Sequence, residues 1–151
     1  MSNFELEFSK ILSANELGIT QSHQAGLLVP KRIALLSYFP SLDPFAINPR
    51  EVMNFYVLDL GVEVSLNYIY YNNKDRGLGT RSEYRLTGTT RLFRQLEVVP
   101  GQEIEFGYIE NALRAIIIKQ RDEKQIATRS SNRLFITTNG WKIVEQNEPR
   151  D

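Results

Sequence analysis

Residues 62–71, Val-Glu-Val-Ser-Leu-Asn-Tyr-Ile-Tyr-Tyr, carry apolar side chains at 64, 66, 68 and 70. A period of two is that of a strand with one buried face, and a strand must find partners for its backbone N–H and C=O groups. The segment therefore commits the chain to a sheet. Phe4, Leu6 and Phe8 alternate with Glu5, Glu7 and Ser9 in the same way on the approach to Ile11 and Leu12, with a helix as the alternative there. Leu27–Val29, Met53–Leu60, Ser82–Leu86, Glu103–Ile109, Leu113–Lys119, Leu134–Thr137 and Trp141–Val144 are further short strand signals. Gly61 suits a tight hairpin, Asn72 to Gly77 form a turn by composition, and Pro100-Gly101 signals another turn. Pro30 opens a short helix over Lys31–Tyr38, which Pro40 and Pro44 end. Ser13–Gln24, rich in Ser, Asn, Thr, Gln and Gly, reads as an extended loop.

The expectation is a mainly β fold with one or two short helices, its seven or eight strands closing into a barrel or pseudobarrel because closure removes exposed edges. A sandwich is the alternative. The length of 151 residues suits one domain. Residues 1–144 are assigned to it, and Glu145–Asp151 to a polar tail or the start of a linker.

Several function classes are excluded on inventory. Without cysteine there are no disulfides or thiolate metal sites, and the lone His23 cannot join other His or Cys ligands around a metal. Neither GxxxxGK[ST] nor GxGxxG occurs. Glu103 and Glu105 share one strand face without an accompanying lysine and read as a solvent face. The N-terminus lacks a signal-peptide pattern, and no apolar run approaches the roughly 18 residues of a membrane span. The chain is expected to be cytoplasmic, free of cofactors and without a catalytic centre.

Eighteen basic residues balance 18 acidic ones, so any polyanion-binding face must come from distribution. Lys74, Arg76, Arg81, Arg85, Arg91 and Arg94 fall in a stretch whose only acids are Asp75 and Glu83. In Thr80-Arg81-Ser82-Glu83-Tyr84-Arg85, positions 81, 83 and 85 share one side of an extended chain. Arginine can meet guanine O6 and N7 bidentately and glutamate accepts from the cytosine amine, so an Arg-Glu-Arg edge matches G·C pairs in a major groove. The competing reading is a solvated face of alternating salt bridges. His23 likewise reads as a polar contact residue or, less readily, as a general base. Tyr68 and Tyr70 read as packing residues.

Leu12-Ser13-Ala14-Asn15 through Gly18, Thr20, His23-Gln24, Gly26 and Pro30 form the pattern LSAN-x-x-G-x-T-x-x-HQ-x-G-x-x-x-P. It resembles the N-terminal effector-binding domain of EcoRII-type restriction endonucleases. Ile69-Tyr70-Tyr71-Asn72-Asn73 and Gly79-Thr80-Arg81-Ser82-Glu83-Tyr84-Arg85-Leu86-Thr87 resemble a second segment of the same family. The resemblance implies a DNA-binding pseudobarrel, like the plant B-three transcription-factor domains, that grips double-stranded DNA in the major groove between two arms. It carries His23 over as a DNA contact on the first arm, with Asn15, Thr20, Gln21, Ser22 and Gln24 beside it. Arg81, Glu83 and Arg85 carry over on the second arm, flanked by Thr80 and Ser82, and Lys74, Arg76, Arg91 and Arg94 are expected to touch phosphates. Leu28 stands where the family has an aromatic residue, and Gly79 and Tyr84 stand where it has lysines, which implies fewer phosphate contacts. The similarity fades after Thr87. The resemblance further implies CCWGG as the site, a monomeric module, and a nuclease domain C-terminal to it as the only part needing magnesium.

Overall fold

The computed structural model describes residues 3–19, 26–110, 113–119, 135–138 and 140–144. Nine strands are found there: β1 (Phe4–Ile11), β2 (Leu27–Val29), β3 (Arg50–Val57), β4 (Val62–Tyr71), β5 (Glu83–Thr87), β6 (Glu103–Ile109), β7 (Leu113–Lys119), β8 (Phe135–Thr138) and β9 (Trp141–Val144). The nine exceed the seven or eight expected. Two helices accompany them, α1 (Ile33–Leu36) and α2 (Thr89–Gln95). The mainly β pseudobarrel read from the sequence is what forms. The assignment of 145–151 to a tail lies outside the described residues.

The strands form one sheet in the order β2-β5-β4-β3-β7-β6-β1-β9-β8. All pairs are antiparallel except β3 with β7, where Tyr56 and Val57 meet Ala115 and Ile116 in parallel. Chain neighbours β3 and β4 pair over their full register from Arg50–Ile69 to Val57–Val62, as the alternation predicts. Their turn is pinned by Gly61 N–H donating to Val57 O at 2.7 Å, and Gly61 has φ +69° there.

The end strand β2 is joined to β9, next to the other end of the sheet, by the only tryptophan in the sequence. Trp141 of β9 donates its indole N–H to the Leu28 carbonyl of β2 at 3.1 Å. Its ring is 1% exposed and packs edge-on against Phe8 and beside Phe106 at centroid distances of 5.5 and 5.9 Å. Phe8, Tyr38, Phe39, Phe55, Met53, Leu66, Tyr68, Leu86 and Ile104 fill the same interior, supplied by the inward alternate positions of β1, β3, β4, β5 and β6 and by the turn that follows α1. At Gly107 of β6 the strands come so close that a Cβ would overlap the Glu5 carbonyl oxygen. Beside it the β1–β6 register slips between Leu6 and Phe8, a β-bulge.

Three expectations change. Glu103 and Glu105 do share a face, but it is not a solvent face: they are 8% and 3% exposed, and the side chains of Ser9 and Lys142 lie against Glu103. Glu103 accepts from Ser9 Oγ at 2.5 Å and sits 3.7 Å from Lys142, so the charge is paired as burial requires. Second, residues 13–19 are not an extended loop. Ser13 and Glu16 form a capping box, with Ser13 N–H on Glu16 Oε1 at 2.9 Å and Glu16 N–H on Ser13 Oγ at 3.3 Å, and Leu17 is buried. Third, α1 is a single turn rather than a helix over Lys31–Tyr38. It continues only as isolated turn bonds to Tyr38 and Phe39.

Candidate nucleic-acid interface

The register of β4 with β5 sets Tyr71 opposite Glu83, Tyr70 opposite Tyr84, Ile69 opposite Arg85 and Tyr68 opposite Leu86. Strand alternation then divides these residues between two faces. Tyr68, Tyr70, Tyr84 and Leu86 belong to the inner face. There the rings stack in a column, Phe39 on Tyr68 at 4.5 Å, Tyr68 on Tyr84 at 5.6 Å and Tyr84 on Tyr70 at 4.3 Å. Tyr68 is a core residue, as read; Tyr70 is half-buried and has a second task. Its hydroxyl donates to Asp75 Oδ2 at 2.6 Å and lies 3.0 Å from Ser82 Oγ, which also accepts from Lys31 Nζ at 2.7 Å. These bonds, the Tyr70 hydroxyl first and Ser82 next, hold the Asp75 carboxyl below its usual titration range. Column and hydrogen bonds together form a stiff mount beneath the turn that links β4 to β5.

The outer face carries the charges. Glu83 Oε2 accepts from Arg81 Nη2 at 2.8 Å and from Arg85 Nε at 2.6 Å, so one carboxylate oxygen bridges two guanidinium groups. The salt bridges of the bland reading are therefore present. The face is nevertheless not simply solvated, since the side chains of Arg81, Glu83 and Arg85 are 45%, 25% and 10% exposed in turn. The guanidinium of Arg81 also lies 4.0 Å from the centroid of the Tyr71 ring.

Burial alone would raise the pKa of Glu83, but hydrogen bonds from Arg85 and Arg81, and their charges, outweigh it and hold the carboxyl below its ordinary 4.5. A depressed folded pKa contributes stability above the unfolded value and loses it as pH falls through the folded one. Thermal unfolding followed from about pH 7 down to about pH 3 should thus cost the parent more stability than Glu83→Gln, which has no charge to lose. Equal acid losses in the two proteins would show that the bridge adds nothing to folding.

The other residues singled out are placed as follows. Ser82 is occupied by the mount. Lys74 and Arg76 are exposed on a 3-10 turn, Lys74–Arg76, where Arg76 Nη1 donates to Phe45 O at 3.2 Å; Thr80 is exposed beside them. The turn is closed by Lys74 N–H on Arg81 O at 2.9 Å and Leu78 N–H on Asn73 O at 2.8 Å. Arg91 and Arg94 are exposed on α2, apart from this turn in the chain. Asn15 is exposed in the capped turn 13–19. Thr20, Gln21, Ser22, His23 and Gln24 lie outside the described residues. Among the described residues no group of three or more His, Cys, Asp or Glu is placed to hold a metal ion, and no helix is long and apolar enough to cross a membrane.

Two residues of the interface escaped the reading of the sequence. Lys31 caps the mount through Ser82 and sits 5.4 Å from the Tyr70 ring centroid, a contact between distant segments that no local pattern announces. Tyr71 could have been found: a hairpin-like pairing of 62–71 with 83–87 in the phase of their alternation puts it beside Glu83.

The family described as restriction endonuclease EcoRII, N-terminal, matches residues 3–100. The match covers both resembling segments and runs past Thr87 through α2. No curated protein sequence matches the chain. Among solved structures, an Arabidopsis FUS3–DNA complex superposes with a TM-score of 0.59 at 17% identity, covering 78% of this chain and all (100%) of that one. The UbaLAI restriction endonuclease B3 domain with cognate DNA superposes with a TM-score of 0.60 at 16% identity, covering 95% of this chain and 88% of that one. At such identities the likeness is one of fold.

Proposed function

Because the chain belongs to the family of EcoRII N-terminal domains, we propose that it is a sequence-specific reader of double-stranded DNA and the recognition module of a restriction endonuclease. The observation that carries this reading is the Arg81–Glu83–Arg85 ladder, a base-reading set held on one face of β5 and the turn before it. A carboxylate facing phosphates would be repelled, so Glu83 belongs at a base edge or in the orientation of the two arginines. In the proposed complex Arg81 and Arg85 meet guanines and Glu83 a cytosine amine in the major groove of a short G·C-rich site, CCWGG or a relative of it. Lys74, Arg76, Arg91 and Arg94 add salt-sensitive phosphate contacts, and the segment with His23 acts as the first arm, opposite the Arg81–Glu83–Arg85 edge. The module binds as a monomer, needs no cofactor and leaves cutting to a magnesium-dependent nuclease domain C-terminal to it. The two DNA complexes sharing the fold support the reading.

Selection of bound sequences from a pool of random duplexes, followed by gel shifts at two salt concentrations, tests it. One G·C-rich motif should be enriched, and Arg81→Ala should weaken its binding by about 1–3 kcal/mol while relaxing specificity at a single base pair. A pool from which nothing is retained would leave the barrel as a protein-interaction module. Undiminished binding by Arg81→Ala would remove that residue from the base-reading set.

A further inference from the structure

Arg81 and Arg85 share one carboxylate oxygen, but they are held differently. Arg85 is 10% exposed, so packing fixes the plane of its guanidinium as well as its position. Arg81 is 45% exposed and precedes the strand, where an ion pair through one nitrogen would leave the guanidinium free to turn about the Nη2–Oε2 contact. A bidentate contact with guanine requires the direction and the plane of the fork together.

The structure supplies a second constraint. Tyr71 pairs with Glu83 across β4 and β5, so ring and carboxylate are neighbours on one face, and the Arg81 guanidinium lies over the ring at 4.0 Å. The arginine backbone is fixed from behind by its carbonyl, which accepts Lys74 N–H at 2.9 Å. An aromatic floor suits the task better than a second acid would. It attracts the cation through its π face, neutralises no charge and takes up no N–H donor along the fork's edge.

We infer that Tyr71 is a positioning residue of the DNA-reading edge: its ring, with Glu83, sets the plane of Arg81 so that the open edge of the guanidinium is presented to a guanine. Tyr71 does for Arg81 what burial does for Arg85. The inference rests on the DNA-reading proposal above, and the test separates the two.

The probe is the duplex most enriched by the parent chain from the random pool, with single substitutions at each of its G·C pairs. Tyr71→Leu should bind it roughly 3- to 30-fold more weakly, the range of cation–π contacts from exposed to desolvated settings. Discrimination should fall at the base pair that Arg81→Ala relaxes and be kept at the others. Tyr71→Phe, which keeps the ring, should stay within about twofold of the parent, and Tyr71→Leu should add nothing in an Arg81→Ala background. Tyr71→Thr, at home in a strand, serves as the ring-less variant if the leucine protein does not fold.

Ring-less variants with parental affinity and discrimination would overturn the inference and leave the DNA-reading proposal standing. So would a Tyr71→Phe protein as weak as Tyr71→Leu, since the hydroxyl would then be the acting group, or a loss that persists without Arg81. A parent chain that enriches no duplex would overturn both.

Discussion

Trp141→Ala should lower the unfolding free energy by about 3–5 kcal/mol, the cost of emptying a fully buried aromatic site. The indole is in contact with Phe8 and Phe106, and its N–H is donated to the Leu28 carbonyl, so the variant loses packing and the bond that joins β9 to β2. Leu28 pairs with Arg85, which places the damage one strand from the charged ladder. DNA affinity should therefore fall along with stability. Trp141→Phe keeps most of the volume and gives up the N–H, so its loss should be nearer the roughly 0.5–1.5 kcal/mol net worth of one hydrogen bond. Denaturant unfolding followed by circular dichroism measures both, since the substitutions remove the intrinsic tryptophan signal. A Trp141→Ala midpoint equal to the parent's would mean that the seam is held elsewhere.

Gly107→Ala is the second large effect, and it acts by addition. The new methyl would have to occupy the space of the Glu5 carbonyl oxygen, which is backbone and cannot swing aside. Gly107 also offers its own carbonyl to the buried Tyr38 hydroxyl at 2.8 Å, so moving β6 to relieve the overlap disturbs the turn after α1 and the aromatic core. Ordinary overpacking costs about 1–3 kcal/mol, and the change at Gly107 should exceed that. Ala115, its partner on β7, is as fully buried, yet Ala115→Gly should cost only about 1 kcal/mol because it removes a methyl and crowds nothing. Comparing the two variants by thermal unfolding checks the asymmetry; equal losses would show that β1 and β6 separate easily at the bulge.

Both sites illustrate what the sequence disclosed. Alternation at 62–71 and 4–9 identified strands because each has one face in the core, and the pairing of Arg81, Glu83 and Arg85 followed from the same period. Closure did not follow from it. Trp141 on β9 reaches Leu28 on β2, its far neighbour in the order of the sheet, and no periodicity in 141–144 encodes that meeting. Gly107 carried a legible sign, a glycine inside a strand, but only the bulge in β1 explains why the backbone comes close. Glu103 and Glu105 were misjudged because alternation separates the faces of a strand without saying whether the outer one is covered. The turn at 13–19 was misjudged although Ser13 and Glu16 stand at capping-box spacing, since the polar composition around them suggested a loop. Helix α2 drew no reading at all, yet Leu92, Phe93 and Leu96 stand at helical spacing. For the interface, Arg81, Glu83 and Arg85 were visible as a set, whereas Tyr71 and Lys31 became visible only when distant segments were brought together.

The antiparallel pairing of β1 with β9 governs how the barrel would answer a mechanical load. Phe8 meets Ile143 and Ser9 meets Lys142, so the chain before β1 and the chain after β9 leave the sheet in the same direction. Tension between those two points would open the pair from one end, hydrogen bond after hydrogen bond, instead of loading all of them together in shear. A body tethered through residue 144 would accordingly pull first on the strand that carries Trp141 and with it on the closure of the barrel.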